Sequence, residues 1–295
     1  MRAFATYHPV VNFTYFTLVI VFSMFFMHPV CLFVSLVCAF SYSVLLNGKK
    51  AAKFHLLYML PMLAFAALLN PAFNHEGVTI LTYLPSGNPL TFESIAYGIA
   101  AAAMIASVIC WFSCCNAVIT SDKVLYLFGR VIPSLSLILS MVLRFVPRFQ
   151  TQIHAVANAQ KCIGKDASSG GLIRRAKNGI HILSAMVTWS LESAIETADS
   201  MKSRGYGLPN RTAFSIFTFD KRDKGALLCI AALALYVLFG ALFGGMRYRY
   251  FPSMKGAGVS FYSITLFAAY GLFCILPVIF EVWEEQKWKA TRSNS

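Results

Sequence analysis

The chain has 295 residues, 58 % hydrophobic and 13 % charged, against roughly 45–50 % and about 25 % in ordinary soluble domains. That balance argues against a soluble globular enzyme and for a polytopic membrane protein. The 25 Lys+Arg against 12 Asp+Glu give a formal charge of +13, yet the basic residues lie between long apolar runs, which suits an anionic membrane surface and not nucleic acid.

Six apolar stretches approach the length of about 20 residues that a span needs: 10–27, 30–46, 54–70, 95–119, 226–245 and 259–280, none carrying Lys, Arg, Asp or Glu. The first follows Arg2, but His28-Pro29-Val30 comes after it in place of a small-residue cleavage site, so it is expected to be a retained transmembrane helix. Four spans then occupy residues 1–119 and two occupy 225–295 with a polar tail. The connections at 28–29 and 71–94 hold no Lys or Arg, and 246–258 holds Arg247, Arg249 and Lys255. Loop charge therefore places both termini in the cytoplasm. Asn70-Pro71 and Asn74-His75-Glu76-Gly77 read as turns of an outward loop.

Residues 120–224 do not fit a further span. Between Arg130 and Arg144 the apolar core of 124–147 is short and contains Pro133, and the segment after it is rich in Lys and Arg. The region is expected to be a cytoplasmic helical insert. A helix over roughly 134–162 stops before Gly164 and the loop Lys165-Asp166-Ala167-Ser168-Ser169-Gly170-Gly171. Ile180, Leu183, Val187, Leu191, Ala194, Ala198 and Met201 then recur at helical spacing, with Glu192, Glu196 and Asp199 on a second stripe. Residues 172–179, with Gly179, are expected to interrupt the chain before that helix. Its end is expected near Gly205, with Gly207 and Pro209 preventing continuation, which leaves Arg204 on a helix tip.

The chemistry-bearing residues are few. Cys31, Cys38, Cys110, Cys114, Cys229 and Cys274, six of the eight cysteines, sit in apolar runs and read as small buried hydrophobes. Cys110, Cys114 and Cys115 share a helix face without a second cluster, and no two histidines stand four apart, so no metal site is expected. Glu192 and Glu196 have the spacing of an acid–base pair but read as a polar face, and no catalytic residue is assigned. The phosphate-cradling G-x-x-x-x-G-K-[ST] pattern is absent; if ATP drives this protein, another chain binds it. No ionisable group lies within the six spans, unlike an ion-coupled pump. An arginine fork on an exposed tip suits docking onto an acidic groove of a partner.

Four segments, LLNPAFNHEGVTIL at 68–81, ESIAYG at 93–98, SDKVLYLFGRVIPSLSLILSMVLRFVPRF at 121–149 and ETADSMKSRGYG at 196–207, resemble the transmembrane T component of energy-coupling factor transporters, the family that includes the cobalt-transport membrane protein. The resemblance implies an all-α bundle of the bacterial inner membrane whose coupling helices join two ABC-type ATPases to a small membrane protein that binds a vitamin or metal ion. It implies no cofactor in this chain, ATP and Mg being held by the ATPases. In the family two short motifs with a central arginine insert into the ATPases. The second maps onto Ser203-Arg204-Gly205. The first falls on Cys162-Ile163-Gly164, where Ile163 holds the arginine position and Lys161 is the adjacent cation. This departure motivates the expectation of an asymmetric ATPase pair. The alternatives are a self-contained permease or channel, which calls for a polar midplane site, and a membrane enzyme using Glu192 and Glu196.

Overall fold

The computed structural model describes residues 3–48, 52–53, 57, 59–83, 89–165, 171–208, 217–256, 258 and 260–293. The expected start of the third span at 54–56, the loop at 166–170 and Pro209 lie outside these residues. Apart from two short hairpins, the described elements are helices: α1 (Pro9–Phe25), α2 (Pro29–Asn47), α3 (Leu60–Phe73), β1 (Ile80–Tyr83), β2 (Pro89–Thr91), α4 (Phe92–Val118), α5 (Ser121–Val131), α6 (Pro133–Cys162), α7 (Leu172–Ser203), α8 (Lys221–Leu242), β3 (Tyr248–Arg249), β4 (Lys255–Gly256) and α9 (Phe261–Ser293). The hairpins pair β1 with β2 and β3 with β4, both antiparallel. The chain divides into two compact units, one of residues 1–124 and 217–295, the other of residues 125–216.

In the first unit α2, α4, α8 and α9 are long and apolar enough to cross a membrane by length and composition, while α1 and α3 are apolar but shorter. The segment 54–70 thus gives a described helix only from Leu60. Two helices start alike. His8 and His28 are N-caps whose Nδ1 atoms accept from the N–H groups of Val10 and Val30, each at 3.3 Å, with Pro9 and Pro29 in the first helical turn. Proline suits that position because its missing N–H has no intrahelical partner there in any case.

The core of this unit is aromatic. Phe4, Tyr7, Tyr15, Phe16, Trp111, Tyr270 and Phe273 are almost fully buried, and Tyr15 meets Trp111 edge-on at 6.1 Å. Several polar groups in this core are paired inside the protein, as an apolar solvent favours. The Trp111 indole donates to Ser35 Oγ at 3.0 Å, which lies 2.8 Å from Ser23 Oγ, and Tyr15 donates to the Cys274 carbonyl at 3.2 Å. Close approach of α3 and α4 depends on Gly98, where a β-carbon would stand 2.6 Å from the Ala67 carbonyl oxygen. Cys31, Cys110, Cys114 and Cys274 are buried as expected, but Cys229 is exposed on α8. Apolar periodicity cannot separate a residue facing lipid from one facing protein, since both solvents are apolar.

Asn70-Pro71 belongs to the last turn of α3 and not to a loop. Asn70 Nδ2 ties this turn to the Ser94 carbonyl at 2.7 Å. Next to it the buried Glu93 carboxylate accepts from the Thr79 N–H and hydroxyl, and Thr91 Oγ1 donates to the Glu76 carbonyl at 2.9 Å. These bonds pin the hairpin β1–β2, which the sequence pattern did not reveal. At another edge of the same unit, the segment before α1 is held by ionic groups. Glu281 accepts from the N–H groups of Ala3 and Phe4, Lys123 donates to the Ala5 carbonyl at 2.6 Å, and Asp223 accepts from the His8 N–H at 3.1 Å. Burial lowers the Lys123 pKa below its ordinary value. Arg222 pairs with Glu284 at 2.6 Å and covers the Tyr7 ring at 4.3 Å.

Candidate functional site

The second unit is built on α6 and α7. Pro133 interrupts the ambiguous apolar run of 124–147: Ile132 before it leaves the helical backbone at φ −133° and ψ 85°, in line with the bias that a following proline imposes, so α5 stops at Val131 and α6 starts afresh. Helix α7 is continuous from Leu172 to Ser203, which corrects the expected interruption at 172–179. A single Gly179 costs only about 1 kcal/mol relative to alanine, too little to stop a helix of this length.

Phe145 stacks on Trp189 at 5.5 Å, Phe149 reaches the same ring at 6.3 Å, and the Arg148 guanidinium lies 5.5 Å from its centroid. One turn or more away, Met141 and Arg144 share a cleft with Met201 and Arg204. The two helices therefore run antiparallel where they touch. Ile182 and Met186 of α7 are buried, whereas Ile180, Leu183, Val187 and Leu191, the first part of the predicted stripe, are exposed, and Ala194, Ala198 and Met201 line a groove against α6. Leu135, Ile138, Val142 and Val146 of α6 are likewise exposed. The pair thus carries an unusual amount of uncovered apolar surface for a soluble helix hairpin.

Both helices end in the same cap. At the end of α6, the Gly164 N–H donates to the Lys161 carbonyl at 3.0 Å and the Lys165 N–H to the Gln160 carbonyl at 2.9 Å; at the end of α7, the Gly205 N–H donates to the Lys202 carbonyl at 3.0 Å and the Tyr206 N–H to the Met201 carbonyl at 3.0 Å. These are the paired bonds of a Schellman motif. They require the left-handed conformation that Gly164 adopts at φ +77° and Gly205 at φ +76°. Ile163 and Arg204 occupy the same position in the two caps, with φ near −85° and ψ near zero. The sequence alignment of Cys162-Ile163-Gly164 with Ser203-Arg204-Gly205 is therefore also a geometric one, with an apolar side chain at one tip and a guanidinium at the other.

All seven predicted residues are described, and they form two groups. Lys161, Cys162, Ile163 and Gly164 are exposed, as are Ser203 and Arg204, while Gly205 is partly covered. Arg204 lies in the cleft with Arg144, and Cys162 follows Arg144 by eighteen residues of α6, which is about 27 Å at a rise of about 1.5 Å per residue. The tips are two separated points and not one site. Sequence reasoning missed Arg144 and Arg148, which line the cleft beside Arg204 together with Glu196. The spacing of Arg144 and Arg148, one helical turn apart, was the available signal. Glu192 and Glu196 are exposed, and no ion pair joins them to a cation among the described residues.

Fold and site together define an all-helical, multi-pass membrane protein with a long amphipathic helix hairpin capped at both tips. A family model described as cobalt transport protein (CbiQ) matches residues 4–214, and the chain belongs to that family. Three curated relatives are each an energy-coupling factor transporter transmembrane protein EcfT. That of Lactobacillus helveticus is 36 % identical over 121 residues, 41 % of this chain and 42 % of the relative. That of Leuconostoc gelidum is 36 % identical over 111 residues, 37 % and 40 % respectively. That of Lacticaseibacillus paracasei is 32 % identical over 127 residues, 42 % and 48 %. The chain thus spans less than half the length of these relatives.

Proposed function

We propose that this chain is the T component of an energy-coupling factor importer: a non-catalytic membrane scaffold that joins two cytoplasmic ABC-type ATPases to a small substrate-binding membrane subunit for uptake of a vitamin or transition-metal ion. The observation that carries this reading is the pair of identically capped tips, Cys162-Ile163-Gly164 and Ser203-Arg204-Gly205, about 27 Å apart on one helix pair. Two separated ends with the same backbone cap but different side chains, Ile163 and Arg204, suit two partners better than one and favour an asymmetric ATPase pair. The family match and the EcfT relatives support the same role. ATP and Mg belong to the ATPases, and in this reading residues 120–224 and both termini face the cytoplasm of a bacterial inner-membrane protein.

In mechanism, a rigid hairpin transmits what happens at its tips. Closure of the ATPases displaces the tips, and the exposed apolar faces of α6 and α7 pass that displacement to the substrate-binding subunit seated on them. Coupling requires that the tips bind the two ATPase states with different free energy. A self-contained permease lacks support in the sequence, because the spans carry no ionisable midplane group. The test is Arg204→Glu in the intact complex. It is expected to abolish ATPase co-purification and ATP-driven uptake together, and unchanged assembly with unchanged uptake would refute the assignment.

A further inference from the structure

We infer that the anion-reading element at the α7 tip is the whole cleft between α6 and α7, with Arg144 and Arg148 joining Arg204, and that its occupant is an acidic segment of a partner ATPase. This rests on the docking role proposed above and extends it from a tripeptide to a two-helix receptor. The cleft has a volume of about 740 Å³ and is lined by three arginines, Arg144, Arg148 and Arg204, and one acidic residue, Glu196. Among the described residues none of these four groups forms an ion pair. Arg144 and Arg148 lie one turn apart on α6, a like-charge spacing that disfavours a helix by itself. The Trp189 ring, 5.5 Å from the Arg148 guanidinium, holds that charge at the cleft wall. Uncompensated cations converging on one space call for an anionic occupant.

The chemistry of the walls favours carboxylates on a polypeptide. Guanidinium forks pair bidentately with carboxylates. Met141, Phe145 and Met201 supply an apolar side for flanking residues, while Glu196, Thr197 and Ser200 supply acceptors for backbone N–H groups. The cleft is also continuous with Arg204, the tip residue of the docking motif. The other tip has Ile163 in the corresponding position, 69 % exposed, so the charge-reading function is concentrated at one end.

The test measures ATPase affinity for the full chain in neutral phosphatidylcholine nanodiscs while salt is raised from about 50 to about 500 mM, a range over which exposed charges become screened. Arg144→Gln/Arg148→Gln is expected to weaken binding by about tenfold or more at low salt and to flatten the salt dependence. Glu196→Gln, which makes the cleft more positive, is expected to strengthen binding several-fold, a gain that no folding defect would produce. If Arg204→Gln abolishes binding while the α6 double variant and Glu196→Gln both bind like the wild type, the cleft is overturned and tip docking stands. If all the variants bind like the wild type, the docking reading itself falls. An effect of the α6 arginines seen only with phosphatidylglycerol in the disc would assign the cleft to lipid and overturn the inference.

Discussion

Trp189→Ala tests whether the hairpin is rigid enough to transmit force. Trp189 is partly covered, stacks on Phe145 at 5.5 Å with a 28° interplanar angle, meets Phe149 at 6.3 Å and carries Arg148 at 5.5 Å. Each aromatic pair contributes about 0.5–1.5 kcal/mol and an exposed cation–π contact about 0.5–1 kcal/mol. Because the ring is not fully buried, the loss falls below the roughly 3–5 kcal/mol of a core Trp→Ala change, and about 2–3 kcal/mol is expected. At about 1.4 kcal/mol per tenfold change, local opening of α6 against α7 rises by about 30- to 140-fold. Amide hydrogen exchange on the protein in nanodiscs reads this directly, for amides of 141–150 and 186–201. Trp189→Phe keeps a ring against Phe145 and is expected to restore most of the protection. Trp283→Ala, on α9, leaves this contact untouched and serves as the control. Unchanged exchange in the Trp189→Ala hairpin would refute the reasoning that this ring clamps the two helices, and ATP-driven uptake is expected to fall in parallel with the lost protection.

Alanine at the two cap glycines is expected to give unequal effects. Both sit near φ +76°, where a side chain costs about 1 kcal/mol, but a β-carbon at Gly205 would also stand 3.0 Å from Leu208 Cδ1, whereas Gly164 has open space. Exchange at Tyr206 should therefore accelerate more in Gly205→Ala than exchange at Lys165 in Gly164→Ala; the reverse order would contradict the cap geometry. Thermal stability is expected to fall on acidification through the histidine caps. Burial lowers the pKa of His8, against a smaller opposing pull from Asp223, and burial lowers that of His28. The unfolded chain then takes up protons first, so the contribution is intact above the ordinary value of 6.5 and is lost as pH falls below it toward the folded values. His8→Asn/His28→Asn keeps cap acceptors without titration and is expected to lose less stability between pH 8 and pH 5; an equal loss would exclude the caps as the cause.

The fold was legible where one physical signal dominated. Apolar runs free of charge coincide with α1, α2, α4, α8, α9 and the described part of α3, of which α2, α4, α8 and α9 have the length and composition to cross a membrane, and the glycines after Cys162 and Ser203 located both helix ends within a residue or two. What stayed hidden depends on contacts between distant parts of the chain. Nothing local marks Glu93 as the acceptor of the Thr79 N–H and hydroxyl, the contact that helps to pin the hairpin β1–β2. Gly179 looks like a break because propensity is local, whereas Trp189 and Met186 hold α7 through burial and ring contacts further along. At the candidate site the tip residues were readable from their motifs. Arg144 and Arg148 were not, because only the antiparallel packing of α6 on α7 brings them to Arg204.

The central claim is that this chain is a scaffold between two ATPases and a membrane-embedded binding subunit, and the most direct measurement is gentle purification of the tagged full-length chain from its native membrane with mass determination of the intact complex. The expected complex holds one copy of this chain with two ABC-type ATPase subunits and one small hydrophobic protein. Isolation of the chain alone, still competent for transport when reconstituted without an ATPase, would contradict it.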